Sequence, residues 1–257
     1  SSSGGTLDAA TITGNLSLAS GDIVTLKNGA GFTGTATVNN GTFYLGTNLS
    51  ALANSAFVFT GSGSYLSYTG SGPFTLTLPS TSSLTRSGTG TTYVYDNVVN
   101  NGAVTVSGGL LQFQSGTTLT NASGANTTIT GSGSTLYLLG LANSGTLTAT
   151  NSGLVQLAGT FATGNLGSVA IASGGAVKLT GVLNNTSANL TAPSGGAYTL
   201  AGGTITGGTI DSAALATSSS GGTLDAATIT GNLSLASSDV VTLKTGETLR
   251  LTVTSDH

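Results

Sequence analysis

Short runs in which apolar and polar residues alternate recur along the 257-residue sequence, separated by Gly, Asn and Ser. Typical runs are Leu16-Ser17-Leu18, Val104-Thr105-Val106 and Tyr198-Thr199-Leu200. Alternation at period two, in segments rich in Thr, Val, Tyr and Phe, is typical of half-buried β-strands. No apolar stripe with helical spacing extends over several turns. The sequence therefore predicts an all-β fold with almost no helix.

The short length of these runs limits the β architecture. Strands this short, between tight corners, favour a single-stranded parallel β-helix, or β-solenoid. Coils of about 18–25 residues would give the chain roughly 10–13 coils. Such a stack places Leu111 and Val177 in its interior, where an Asp would disrupt the local coil and its two neighbours.

The corners leave an alternative open. Asn28-Gly29, Asn40-Gly41 and Asn101-Gly102 supply residues that tolerate positive φ, as tight solenoid corners require. Asn-Gly is also a β-hairpin signal, so an antiparallel meander is the structural alternative. We favour the solenoid because a meander of this length exposes long sheet edges and needs a second layer to cover it.

A second repeat has a much longer period. Residues 218–244 copy residues 1–27 at a constant offset, with changes only at Gly21/Ser238 and Ile23/Val240. We infer a duplication, with residues 1–217 as one full solenoid unit and residues 218–257 as the start of a second. Residues 245–257 diverge from the first unit. They are predicted to be a polar cap or a fragment end, since they carry Glu247, Arg250, Asp256 and His257.

Composition narrows the functional class. Only 5% of residues are charged, 38% are hydrophobic and the net charge is −3, unlike a disordered chain. Five scattered Lys and Arg residues form no basic patch, so no nucleic-acid partner is expected. No apolar run is long enough for a membrane span. The abundance of Thr, Ser, Gly and Asn favours an extracellular location.

The ionisable residues offer little chemistry. Asp8 and Asp22 are separated by less than one expected coil, so they are expected at solvated corners or as turn caps rather than as a catalytic pair. Asp22 and Lys27 recur together in both copies, which allows a salt bridge between coils. The chain has no Cys and one His, at its terminus. We therefore predict no enzyme, no catalytic residue, no cofactor and no metal site; ligand-binding residues stay unknown.

Two surface patterns have a structural and a functional interpretation. Aromatic pairs at Phe57/Phe59, Tyr65/Tyr68 and Tyr93/Tyr95 are expected to stack in the core or on the solenoid surface, with a carbohydrate platform as the alternative. Thr-x-Thr occurs at 11–13, 35–37, 75–77, 146–148 and 204–206. A flat, regular Thr array can order water at an ice surface, but this spacing is not constant. Ordinary outward Thr residues on strands are therefore expected.

Two strings carry a family resemblance, residues 100–113 (NNGAVTVSGGLLQF) and 143–157 (NSGTLTATNSGLVQL). Their pattern, Asn-x-Gly-x-Leu-x-Val followed by Gly-Gly-x-Leu-x-Leu, resembles repeats in passenger domains of bacterial autotransporters and filamentous haemagglutinin-like exoproteins. The resemblance implies a right-handed parallel β-helix on, or released from, a bacterial cell surface.

The sequence thus predicts a structural fibre or stalk module of a large, repetitive extracellular bacterial surface protein. Its expected partners are neighbouring repeat units or copies of itself, which could assemble end to end into filaments. The alternative is an adhesin that binds glycan or protein on host or neighbouring cells through a lateral strip containing Tyr65 or Tyr93. Ice binding and a carbohydrate-active β-helix enzyme are the two further alternatives.

Overall fold

The chain folds into one parallel coil stack. A computed structural model describes residues 4–244, 246 and 248–253. Their strands form five sheets, in which the paired strands run parallel and, apart from β2 and β3, sequence neighbours lie in different sheets. The predicted all-β parallel solenoid is therefore confirmed, and the antiparallel meander is not formed.

The long sheet takes one strand from each coil. Its eleven strands agree with the predicted coil number and advance by about 50 Å at about 4.8 Å per strand. In order, they are β1 (Gly4–Asp8), β4 (Ile23–Lys27), β6 (Thr42–Leu45), β9 (Gly63–Tyr68), β12 (Thr91–Val94), β15 (Leu110–Phe113), β18 (Thr135–Leu138), β21 (Leu154–Leu157), β24 (Ala176–Leu179), β27 (Tyr198–Leu200) and β30 (Leu215–Ala216).

Two five-stranded sheets follow the long sheet within the coils. The early second sheet contains β7 (Leu49–Ser50), β10 (Thr75–Leu78), β13 (Asn97–Asn100), β16 (Leu119–Asn121) and β19 (Leu141–Asn143). The late second sheet contains β22 (Thr160–Ala162), β25 (Val182–Asn184), β28 (Thr204–Thr206), β31 (Thr223–Asp225) and β33 (Thr242–Leu243).

The remaining strands complete the coils. The early third sheet contains β2 (Thr11–Thr13), β3 (Leu16–Leu18), β5 (Gly31–Val38), β8 (Ser55–Phe59), β11 (Ser83–Arg86), β14 (Ala103–Val106), β17 (Asn126–Thr130), β20 (Thr146–Thr150) and β23 (Ser168–Ile171). The late third sheet contains β26 (Asn189–Leu190), β29 (Thr209–Asp211), β32 (Thr228–Leu235) and β34 (Thr248–Val253). The helical content of the described residues is two 3₁₀ turns, Thr163–Asn165 and Ser212–Ala214.

Coil length varies along the stack. The shortest step between partners on the long sheet runs from Tyr198 to Leu215, and the longest runs from Gly63 to Thr91. The extra residues of the longer coils lie at corners, so strands that are unevenly spaced along the sequence still stack in register. No helix in the described part of the chain is long and apolar enough to cross a bilayer.

Alternation along each strand builds the core. In β15 the side chains of Leu111 and Phe113 are fully buried, whereas Leu110 and Gln112 face outward. Leu111 stacks between Thr92 and Leu136 of the adjacent coils. Each such buried aliphatic or aromatic side chain contributes about 1.5–3 kcal/mol relative to exposure. The stack, rather than any single coil, buries the inner face.

A ladder of buried asparagines crosses the corners after the early second sheet. The Asn100 side-chain amide donates to Asn121 Oδ1 over 2.8 Å, and that of Asn121 donates to Asn143 Oδ1 over 2.9 Å. The Asn143 amide in turn donates to the Leu166 carbonyl over 2.7 Å. Because buried amides need partners, this ladder satisfies each side chain and ties each coil to the next.

Glycine at the corners has two distinct uses. Asn28 and Gly29 have φ of 54° and 79°, and Asn40 has φ of 58°, which confirms the expected left-handed conformation. For Asn101-Gly102 that expectation is wrong, since neither residue is among those with positive φ. A Cβ at Gly102 would instead lie 2.2 Å from the Ser82 carbonyl oxygen of the preceding coil. Close stacking of one coil on the next selects this glycine.

We expect Gly102→Ala to lower the free energy of unfolding by about 1–3 kcal/mol, because backbone of the neighbouring coil must move to admit the methyl group. Gly164→Ala is the matched control, since a Cβ there meets nothing within 4 Å. Urea denaturation followed by circular dichroism measures both. Equal stability of the two variants would contradict close coil stacking at residue 102.

Candidate functional site

The repeated segment forms the same ion pair in both copies. Lys27 Nζ lies 3.3 Å from Asp8 Oδ2, and Lys244 Nζ lies 3.4 Å from Asp225 Oδ2. The alternative pairing of Asp22 with Lys27, which the sequence allowed, is therefore not formed. Asp8 stands directly opposite Lys27 in the parallel register of β1 and β4, which brings the two side chains together. The pKa of the Asp8 carboxyl is lowered, mainly by a hydrogen bond from the Asn28 side chain and to a smaller extent by the hydrogen bond and positive charge of Lys27.

Asp22 instead has a local role. Its carboxylate accepts a hydrogen bond from the Ala19 backbone amide over 2.9 Å, and Asp239 accepts one from the Ala236 amide over 3.2 Å. Both carboxylates thus cap turns, as expected for acidic residues at corners. Within the described ranges, no three His, Cys, Asp or Glu side chains gather as a metal site would require.

A column of aromatic and amide side chains, ending in a lysine, runs along the outside of the long sheet. Parallel register aligns one residue from each of six consecutive coils: Tyr65, Tyr93, Gln112, Tyr137, Gln156 and Lys178. We call this set the tyrosine–glutamine column. The Tyr65 and Tyr93 rings stack, with centroids 5.4 Å apart and planes 20° from parallel.

The aromatic pairs follow the expected structural pattern. Phe57 and Phe59 point inward and are buried, and the Phe57 ring packs edge-on against Phe32 and Phe43 at 5.0 and 5.3 Å. Tyr65 and Tyr93 stack on the surface instead. Because each covers one ring face of the other, the pair offers a ligand its edges and hydroxyl groups more than a flat platform.

Threonines on the early third sheet also align, in one column that runs through four coils. Thr85, Thr105, Thr128 and Thr148 occupy matching positions in four successive coils of the early third sheet. The neighbouring outward column reads Ser83, Ala103, Asn126 and Thr146. The Thr-x-Thr motifs at 75–77 and 204–206 lie on other sheets. The surface therefore lacks a regular two-column Thr array over these coils, in agreement with ordinary outward threonines.

Arg86 is an unexpected interior residue. Its side chain is fully buried, and the guanidinium donates to the carbonyls of Phe59 at 3.0 Å, Thr89 at 2.6 Å and Ser87. Burial lowers its pKa. The alternation in the sequence indicated this position, because Arg86 follows the inward-facing Leu84 by two residues on the same strand. The guanidinium thus satisfies corner carbonyls that would otherwise be buried without a donor.

Asp96 is the second unexpected interior residue. It follows the inward-facing Thr92 and Val94 at the same two-residue interval and is fully buried. Its Oδ1 accepts a hydrogen bond from the Phe74 amide over 2.8 Å, whereas Oδ2 is buried without a partner. Burial, partly offset by the hydrogen bond from Phe74, raises the pKa of this carboxyl to about 7. The neutral acid is the form that suits this interior.

Asp96 gives a prediction for pH dependence. Its pKa of about 7 in the folded state lies above the unfolded value of about 3.9, so the folded state binds the proton more tightly. This stabilisation is complete below about pH 4, declines as pH rises to 7 and is lost above it. We expect Asp96→Asn to gain roughly 1–3 kcal/mol over the wild type at pH 8 and to lose that advantage at pH 4.

Urea midpoints of both proteins, measured from pH 4 to pH 8, test this expectation. Parallel pH profiles for Asp96→Asn and the wild type would contradict an uncharged buried carboxyl at residue 96.

A cavity of about 410 Å³ lies where the long sheet ends. It is lined by Leu215, Ala216 and Thr217 on one side and by Asn232, Ser234 and Asp239 on the other. The Thr217 hydroxyl donates to Asp239 Oδ2 and lies 3.3 Å from the Ser234 carbonyl oxygen. Asp239 is the one ionisable residue among those that line this cavity, and its carboxylate also accepts a hydrogen bond from the Ala236 backbone amide.

Comparison with known proteins gives limited similarity. No protein-family model matches the sequence, and no curated protein matches it significantly. A solved structure, the TibC-catalysed hyper-glycosylated TibA55-350 fragment, aligns with a TM-score of 0.46 and 17% sequence identity. The alignment covers 98% of this chain and 97% of that chain.

Proposed function

We propose that this chain is a structural stalk or fibre module of a repetitive extracellular protein on a bacterial surface. The observation that supports this proposal most is the unbroken parallel register of the long sheet from β1 to β30. Every coil is tied to its neighbours by backbone hydrogen bonds, and the core is shared by adjacent coils. Such a stack transmits load along its axis and gains length with each added coil, without any chemistry.

The repeated segment supports tandem growth. Thr6 pairs with Thr25 in the first copy, and Thr223 pairs with Thr242 at the equivalent positions of the second. After the second copy, β34 pairs with β32 much as β5 pairs with β2 and β3, although residues 245–257 diverge in sequence. Strand stacking therefore continues past the repeat. The cap prediction depends on Glu247, Arg250, Asp256 and His257. Of these four, Glu247, Asp256 and His257 lie outside the described residues.

Electron microscopy of proteins with one, two and three tandem units tests the stalk proposal. We expect rods of constant width whose length grows by about 50 Å per unit. Rounded particles, or a length that does not grow with unit number, would exclude it. The same images would show whether single-unit copies associate end to end into filaments.

The tyrosine–glutamine column supports a second candidate, an adhesin that binds glycan or protein on other cells along the long sheet. Phenol and amide groups recur there at about 4.8 Å intervals, a spacing that can present hydrogen bonds to an extended polymer. Tyr65 is 36% exposed.

For the adhesin candidate we expect Tyr93→Ala to weaken binding to any glycan retained on an array at least tenfold, since it removes a stacked phenol from the column. Thr105→Ala, on the early third sheet, is the control and should bind as the wild type does. Reproducible glycan binding that Tyr93→Ala leaves unchanged would exclude this column as the binding surface.

A further inference from the structure

The two copies of the repeated segment have the same local structure. In each, the strand that ends in Thr-Leu-Asp pairs in parallel with the later strand that contains the Thr-Leu of Thr-Leu-Lys. In each, the same Asp–Lys ion pair closes the coil, at 3.3 and 3.4 Å. The segment therefore forms the same coil at both of its places in the stack.

The two copies nevertheless belong to different sheets. In the first copy, β1 and β4 start the long sheet, and β2 and β3 start the early third sheet. In the second copy, β31 and β33 extend the late second sheet, and β32 extends the late third sheet. The long sheet receives no strand from residues 218–244 and ends at β30.

Coil length explains the change of sheet. Thr223 follows soon after Ala216, and the segment between them is much shorter than even the shortest coil on the long sheet, from Tyr198 to Leu215. β31 therefore cannot stack on β30 and forms on the next sheet instead. The later strand, β33, then pairs with β31 rather than returning to the long sheet. The unit of residues 1–217 thus contains a non-integral number of coils.

We propose that successive units join with a shift of one face, so that the long sheet of each unit is built on the late second sheet of the unit before it. This inference rests on the tandem stacking proposed above. Across the junction, the outward column Thr204, Thr223 and Thr242 continues into the counterparts of Tyr44 and Ser67 in the next unit. The tyrosine–glutamine columns of consecutive units consequently lie on different faces of the rod.

Cysteine cross-linking distinguishes a shifted from an aligned junction, because the natural chain has no Cys. The protein to use has two units, with the sequence of residues 28–217 placed after Lys244. The pair Thr204→Cys with Thr223→Cys reports the shifted junction, because it joins the late second sheet of the first unit to the first strand of the second unit. The pair Ala216→Cys with Thr242→Cys reports an aligned junction, in which the second unit would return to the long sheet. Val182→Cys with Thr204→Cys is the positive control within the late second sheet.

We expect the Thr204/Thr223 pair to oxidise about as fast as the control pair and roughly tenfold faster than the Ala216/Thr242 pair, since a disulfide needs adjacent Cα atoms. Faster oxidation of the Ala216/Thr242 pair, or no reaction of the Thr204/Thr223 pair, would overturn the shift. Electron microscopy of the same protein keeps the two proposals separate. A rod with aligned cross-links refutes only the shift, whereas a rounded particle refutes the stalk.

Discussion

Leu111→Asp is expected to unfold the coils on either side of residue 111. Leu111 is fully buried and stacks between Thr92 and Leu136 of the neighbouring coils. A carboxylate there loses both the packing of the leucine and its own hydration, with no cation in the register positions above and below. The combined cost is about 4 kcal/mol or more, a large part of the stability of a typical domain.

The control for this prediction is the adjacent residue. Gln112→Asp places the same charge on the outer side of β15, where Gln112 is partly exposed, and should change stability by less than about 1 kcal/mol. Thermal unfolding and limited proteolysis of both variants provide the measurement. Val177→Asp, also fully buried, should behave as Leu111→Asp does. Similar losses from Leu111→Asp and Gln112→Asp would mean that alternation does not define the inside of the coil.

Asn121→Ala is expected to lower the free energy of unfolding by about 3–4 kcal/mol. The Asn121 side chain accepts hydrogen bonds from Asn100 at 2.8 Å and Thr127 at 3.2 Å, and donates to Asn143 at 2.9 Å and to the Thr146 carbonyl at 3.0 Å. The alanine leaves several buried polar groups without one of their partners. Each group that loses its partners lowers the free energy of unfolding by up to about 1–3 kcal/mol. Because the ladder joins consecutive coils, the loss should spread beyond the substituted coil.

Asn126→Ala provides the comparison for the ladder. Asn126 lies on the next strand, and its side chain is exposed. Its replacement should change stability by no more than about 0.5 kcal/mol. Urea denaturation of both variants, with hydrogen exchange at the amides of residues 100–146, measures the effect and its extent. A loss below about 1 kcal/mol for Asn121→Ala would show that the ladder does not stabilise the stack.

Period-two alternation was enough to predict the class of fold. It places Leu111 and Phe113 inside and Gln112 outside, as observed. It predicted neither the asparagine ladder nor the buried Arg86 and Asp96. Polar residues were expected on the outside because of their residue type, whatever their position in the alternation. Asn100 and Asp96 both fall on the inward positions of the two-residue alternation. Position in the alternation therefore predicted their burial better than residue type did.

Contacts between coils were harder to predict than strands. Asp8 pairs with Lys27 because their strands are stacked in a particular register, whereas sequence proximity suggested Asp22. The tyrosine–glutamine column has the same origin, since Tyr65, Tyr93 and Gln112 follow one another at unequal intervals in the sequence. Corner lengths set these alignments, and corners of Gly, Ser and Asn give no periodic signal from which their length can be inferred.

Pulsed electron resonance distances between spin labels along the outer column of the long sheet test the parallel stack most directly. Thr42 and Thr199 are joined by seven register steps through Tyr65, Tyr93, Gln112, Tyr137, Gln156 and Lys178. With labels on Thr42→Cys and Thr199→Cys, the stack predicts a separation of about 34 Å, and about 24 Å for Thr42→Cys with Gln156→Cys. If each strand instead paired with the next along the chain, Thr42 and Thr199 would lie roughly 100 Å apart, and a distance of that size would contradict the fold on which every proposal here depends.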